Sequence, residues 1–154
     1  MRQTLLLLFL ALILMPDTIN ALPFKEISTD NGLSNRRVQE SILDDNGYIW
    51  FATRSGIDRY NGEFFVHYTL SISAENEVTE HPRGILINDQ KEIYAFSEAN
   101  IYKFSYETDS FHQVNNVNLT QREAINAITF DPTGHLWIGT TEHLYLSLIH
   151  ISEP

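Results

Sequence analysis

The chain has 154 residues and a formal net charge of −10, with 10 Lys and Arg against 20 Asp and Glu. That balance leaves no basic stripe to neutralise phosphates, which argues against a nucleic-acid partner. Aromatic residues make up 12% and cysteine is absent, so the composition is that of a folding chain without disulfides, thiolate chemistry or sulfur-ligated zinc.

At the N-terminus, Arg2 supplies one positive charge and Leu5 to Met15 form an unbroken apolar run, interrupted by Pro16 and Asp17. A basic start followed by roughly 7–15 apolar residues describes a signal-peptide core, whereas a membrane span needs about 20. Residues 1–21 are expected to be a signal peptide cleaved after Ala21, and the remainder an exported chain. Residues 22–34 follow as an N-terminal segment.

From there the chain is organised by a degenerate repeat. Asp44, Gly47, Trp50 and Thr53 return as Asp131, Gly134, Trp137 and Thr140, each 87 positions later. Between them lies a worn copy, in which Ile49, Trp50, Ile57, Arg59 and Tyr60 return after 44 positions as Ile93, Tyr94, Ile101, Lys103 and Phe104. A fixed period of this size marks stacked supersecondary units.

Unit one (residues 35–70) reads as four strands: Val38 to Leu43, Tyr48 to Thr53, Ile57 to Tyr60 and Phe64 to Tyr68. Asn46-Gly47 and Asn61-Gly62 are expected to form tight hairpins with both central residues at positive φ. The second strand is a continuous apolar run, as expected when both faces are buried. Ser71 to Pro82 reads as an exposed connection, unit two covers residues 83–115, and unit three covers 124–145. Four strands per unit of about 40–45 residues point to a β-propeller. The expected fold is all-β: about three antiparallel blades after a signal peptide, with residues 22–34 as the ring-closing strand.

Phe24 to Thr29, Gly32-Leu33-Ser34-Asn35, Asp44 to Thr53 and Gly56-Ile57-Asp58-Arg59-Tyr60 together resemble the two-component regulator propeller. Unit two departs from that pattern: Lys91 stands where Gly47 and Gly134 stand, Tyr94 replaces tryptophan, and Asn100 replaces Gly56. The resemblance implies the periplasmic sensor region of a bacterial receptor, anchored at the inner membrane as a homodimer. It also implies an output module, a histidine kinase or a diguanylate cyclase, beyond this stretch of chain.

Leu146 to Pro154 break the repeat where unit one has Arg59-Tyr60. Residues 146–154 also read as a translation of the transposon end used to prepare sequencing libraries, and are expected to be an artefact that truncates the gene.

No catalytic, metal or cofactor residue is expected in this chain. The histidines at 67, 81, 112, 135, 143 and 150 lack metal-ligand spacing, and Ser55 lacks a nucleophile elbow. Trp50 and Trp137 are expected to pack the core, while Arg59 and Lys103 flank the third strand at the surface. Propellers hold ligands over the central axis, on loops at one end of the blades. Arg36, Arg37, Arg54 and Arg83 lie near such entrances and turns. The expected function is therefore non-enzymatic sensing of an extracytoplasmic small molecule or oligosaccharide. The rivals are a secreted propeller enzyme acting on polysaccharide and a non-catalytic interaction scaffold.

Overall fold

The computed structural model describes residues 23–72, 78–114 and 119–147. The expected signal peptide and residues 148–154 of the expected artefactual terminus lie outside them. Blade 1 is an antiparallel sheet of β1 (Val38–Leu43), β2 (Ile49–Thr53), β3 (Gly56–Tyr60) and β4 (Phe65–Tyr68), in that order. A two-stranded ribbon of β5 (Leu70–Ser71) and β6 (Thr79–Glu80) follows, where an open connection was expected. Blade 2 contains β7 (Gly84–Ile87), β8 (Ile93–Phe96), β9 (Ile101–Ser105) and β10 (Ser110–Gln113). Blade 3 contains β11 (Ile125–Phe130), β12 (Leu136–Thr140) and β13 (Leu144–Leu146). Leu146 still pairs with Trp137, as Arg59 pairs with Trp50, so the third blade runs one residue past its expected end at Tyr145.

The turn between the first two strands is built by a side chain. Asp44 Oδ1 accepts from the N–H groups of Asn46 and Tyr48, at 3.0 and 2.8 Å. Gly47 N donates to Asp44 O and Asp44 N to Tyr48 O, closing the loop. Only Gly47 is left-handed, at φ 83, so this is not the two-residue hairpin expected from Asn46-Gly47. At Asn61-Gly62 likewise only Gly62 has positive φ, and Asn61 Oδ1 accepts from Glu63 N and Phe64 N. Asp131 and Gly134 repeat the first turn. So does the worn unit, with Asn88 in place of aspartate and Lys91 held at φ 66 in place of glycine. Asn100, by contrast, is not left-handed, although it stands where Gly56 takes φ 149.

Packing between blades explains the continuous apolar runs. All four residues of β8 are buried. Ile93 and Ala95 join Trp50, Ala52, Ile57 and Tyr68 of blade 1 in one core, together with Tyr102, Phe104 and Phe111. Tyr94 and Phe96 point to the opposite face and join Ile125, Leu136 and Ile138 of blade 3 in a second core. Alternate side chains of one strand thus serve two seams, because successive residues point to opposite faces. Trp50 is fully buried in the first seam, packed on Tyr68, Phe104 and Phe111. Trp137 is only half-buried and joins neither core, contrary to the expectation that both tryptophans would be core residues. Its register turns it to the side of blade 3 that faces away from blade 2.

Residues 23–34 form no strand. They carry a short 3-10 helix at Thr29–Asn31, capped by Ser28 and ended by left-handed Gly32. The segment is fastened to blade 1, with Leu33 buried and Ser34 donating from N and Oγ to Asp58 Oδ2 at 2.8 Å each.

Candidate functional site: a cleft at the strand entrances

The first strand of each blade begins, and the second ends, at the same rim, because they pair antiparallel: Val38 with Thr53, Gly84 with Phe96, Ile125 with Thr140. β1 also lies against β7, so the rims of neighbouring blades converge there. At this convergence the chain encloses a cleft of about 560 Å³. Blade 1 contributes Arg37, Gln39 and Arg54, and the entrance to blade 2 contributes His81, Pro82 and Arg83. Glu98 and Asn126 complete it.

Part of the wall is fastened internally. Arg83 spans the second seam, donating from Nη2 to Glu98 Oε1 at 2.5 Å and from Nη1 to Asn126 Oδ1 at 3.1 Å. The hydrogen bond and charge of Arg83 hold the Glu98 carboxyl below its usual range. Gln39 Nε2 donates to Pro82 O at 2.7 Å, joining blade 1 to the entrance of blade 2. Arg37 and Arg54 face each other across the strand pair, with Arg54 N donating to Arg37 O at 3.3 Å. Among the described residues, neither of their guanidinium groups has a hydrogen-bond or ion-pair partner. The wall therefore presents donors, and it offers no nucleophile held against a base.

Of the four arginines that the sequence places near strand entrances and turns, Arg37, Arg54 and Arg83 line this cleft and Arg36 does not. The sequence reading missed Glu98 and Asn126. The repeat carried a signal for both, since Glu98 stands 44 positions after Arg54 and Asn126 stands 43 after Arg83.

Arg59 and Lys103, expected at the surface, are structural instead. The Arg59 guanidinium lies 5.0 to 5.9 Å from the ring centroids of Tyr48, Trp50, Tyr68 and Phe104 and pairs with Asp109. Lys103 Nζ donates to Glu92 Oε1 at 2.5 Å. Burial raises the Glu92 carboxyl, but hydrogen bonds from Lys103, Asn88 and Tyr94 outweigh it and hold the group below its usual range. His67 is exposed and bonded to Asp58, and exposed His112 bonds to Thr108. Among the described residues no group of three His, Asp or Glu could hold a metal ion, and no helix is long and apolar enough to cross a membrane.

A second repeated device fixes the turn after each second strand. Thr53, Ser97 and Thr140 accept from N–H groups of that turn, at Ser55, Asn100 and His143 respectively. In blades 2 and 3 an acid from the preceding connection holds the hydroxyl: Ser97 donates to Glu80 and Thr140 to Glu123. Glu123 also accepts from Thr120 N, Tyr145 OH and His143, which together hold its carboxyl at about 2.

Comparisons with known proteins agree with this architecture. Residues 119–142 match the family model described as two component regulator propeller. No curated protein matches the chain. Among solved structures, the chain is similar to the extracellular domain of a B. thetaiotaomicron protein described as a one component system, with TM-score 0.64 and 19% identity over 79% of this chain. A second is the extracellular domain of a B. thetaiotaomicron protein described as a hybrid two component system, with TM-score 0.60 and 23% identity over 74% of this chain. A third is PorZ, a surface component of the type-IX secretion system of Porphyromonas gingivalis, with TM-score 0.53 and 18% identity over 70% of this chain. The chain spans 16%, 17% and 17% of those three chains respectively. At such identities the likeness is one of fold. Residues 119–142 match the two component regulator propeller repeat, and the chain folds as antiparallel propeller blades.

Proposed function

We propose that this chain is the leading part of an exported sensor propeller, lying on the periplasmic side of the inner membrane. It receives an extracytoplasmic small molecule or oligosaccharide at the blade rims, and a membrane-anchored homodimeric parent passes the event to a cytoplasmic output module. The observation that carries this reading is the cleft itself: strand entrances from adjacent blades meet around donors with no internal partner. Unfilled donors in a concave site suit a polar ligand better than they suit packing. A change in blade packing on binding would alter the dimer and so bias the output. Two-component architecture in proteins of the same fold supports the assignment.

Reading the genomic locus past the codon of Tyr145 tests it. The expected result is an open reading frame with further blades, a membrane helix and a kinase or cyclase module. A stop after one propeller would favour the secreted-enzyme or scaffold alternative and end the sensor reading.

A further inference from the structure

The blades are repeats, so each provides a control for the others. At the rim, the residue before the first strand faces the residue after the second. In blade 3 that pair is Ala124 and Thr141, joined by the bond from Thr141 N to Ala124 O at 3.0 Å. In blade 2 the repeat places His81 and Glu98 at these positions, and Arg83 beside them neutralises Glu98. In blade 1 the pair at the positions of Ala124 and Thr141 is Arg37 and Arg54, joined by the same backbone bond. Like charges directly opposite on a strand pair are unfavourable. The fold evidently does not need them there, since blade 3 forms the same pair from neutral residues.

Charge balance sharpens the point. The chain as a whole carries −10, yet the cleft gathers three arginines and a single carboxylate, which Arg83 occupies. A concave patch of reversed sign focuses the field on an incoming anion. Arginine presents a planar fork of donors that matches carboxylate and sulfate geometry.

We infer that the cleft binds an oxyanion, with Arg37 and Arg54 as its ligands and Arg83 as a fixed wall. The ligand class is a small molecule or saccharide bearing a carboxylate or a sulfate. This rests on the cleft's being the receiving site of the sensor, and it adds the charge of what is received.

The test follows the arginine Nε–Hε cross-peaks of the full chain during titration with D-glucuronate, glucose 6-sulfate and uncharged D-glucose. The Arg37 and Arg54 peaks are expected to shift saturably with one or both charged sugars and to stay still with glucose. Arg36, next in sequence but not in the cleft wall, should stay still throughout. The carboxylate and sulfate arms identify which oxyanion is preferred. Replacing Arg37→Gln or Arg54→Gln is expected to weaken binding about tenfold, the scale of one charge-assisted contact. Arg36→Gln, with the same change in net charge, should leave binding as it was. Equal losses from all three variants, or equal Arg36 shifts in the unmodified chain, would reduce the effect to bulk charge and overturn the inference. Binding of glucose with the Arg37 and Arg54 peaks silent would overturn it while leaving a receiving cleft. Absence of any saturable shift would overturn it too, and the downstream gene would still decide the sensor reading.

Discussion

Arg59 of blade 1 donates from Nη1 to Asp109 Oδ1 of blade 2 at 3.0 Å, across the seam that buries Trp50. Tyr68 OH donates to the same oxygen at 2.9 Å. The charge lies against four aromatic rings while its head reaches one acid, so the guanidinium acts as a clasp between blades.

Arg59→Lys is therefore not a conservative change. A point ammonium loses both the planar contact with the rings and the fixed fork. The expected loss is about 1–2 kcal/mol in urea unfolding of the full chain. A double-mutant cycle with Asp109→Asn should show coupling; additive losses would mean the pair is incidental.

The carboxylate of Asp44 is the most connected group of the first turn. Besides its two backbone donors it accepts from Trp50 Nε1 at 2.8 Å and from Tyr106 OH at 3.0 Å. Asp44→Ala leaves a buried indole N–H and turn amides without partners, which costs roughly 2–4 kcal/mol. Asp131→Ala should cost less, because Trp137, bonded to Asp131 at 3.0 Å, is only half-buried. Tryptophan-detected urea melts of the two variants compare them directly, and equal losses would contradict this ranking.

These turns show how far the sequence could be read. In unit one the strand positions came through within a residue, because runs such as Ile49 to Thr53 are largely apolar and flanked by polar turns. What composition cannot express is a partner across a seam. Arg59 looks like an ordinary charged residue next to a strand until Asp109, 50 positions later, is placed beside it. Glu80 and Glu123 recur 43 positions apart, yet both sit in stretches that read as connections, so their hold on the following turn was not visible. Nearness to strand entrances marked these arginines as candidates, but only the structure distinguishes Arg83, paired with Glu98, from Arg37 and Arg54.

Backbone strain in the worn unit gives an improving substitution. Lys91 holds φ 66, where the other two blades use glycine. Its ion pair with Asp45 is exposed and adds little. Lys91→Gly should stabilise the chain by about 1 kcal/mol, the usual relief at a left-handed position net of glycine's added freedom when unfolded. Gly56→Ala should do the reverse and more, since a Cβ there would meet Tyr68 O at 2.5 Å. Midpoints in urea would reveal either sign.

Acid should act on blade 3 through Glu123. Its carboxyl is held at about 2 when folded, against about 4.3 for an unfolded glutamate. The depressed value means its stabilisation is complete above about pH 4.3 and is lost as pH falls toward 2. Carboxyl carbon shifts of Glu123 followed by NMR should titrate at about 2, below the range of an unfolded glutamate. A midpoint at the ordinary value would show that the bonds from Thr120, Thr140, His143 and Tyr145 do not hold the charged form.

The two-sided strand β8 also limits how such a protein can change in length. Inserting one residue inside β8 would send Ile93 toward blade 3 and Tyr94 toward blade 1, emptying and overfilling both seams at once. An insertion in a connection would disturb neither. The drift between 43 and 44 residues per unit is then best absorbed outside the strands, and each blade behaves as a gauge of fixed thickness between spacers of adjustable length.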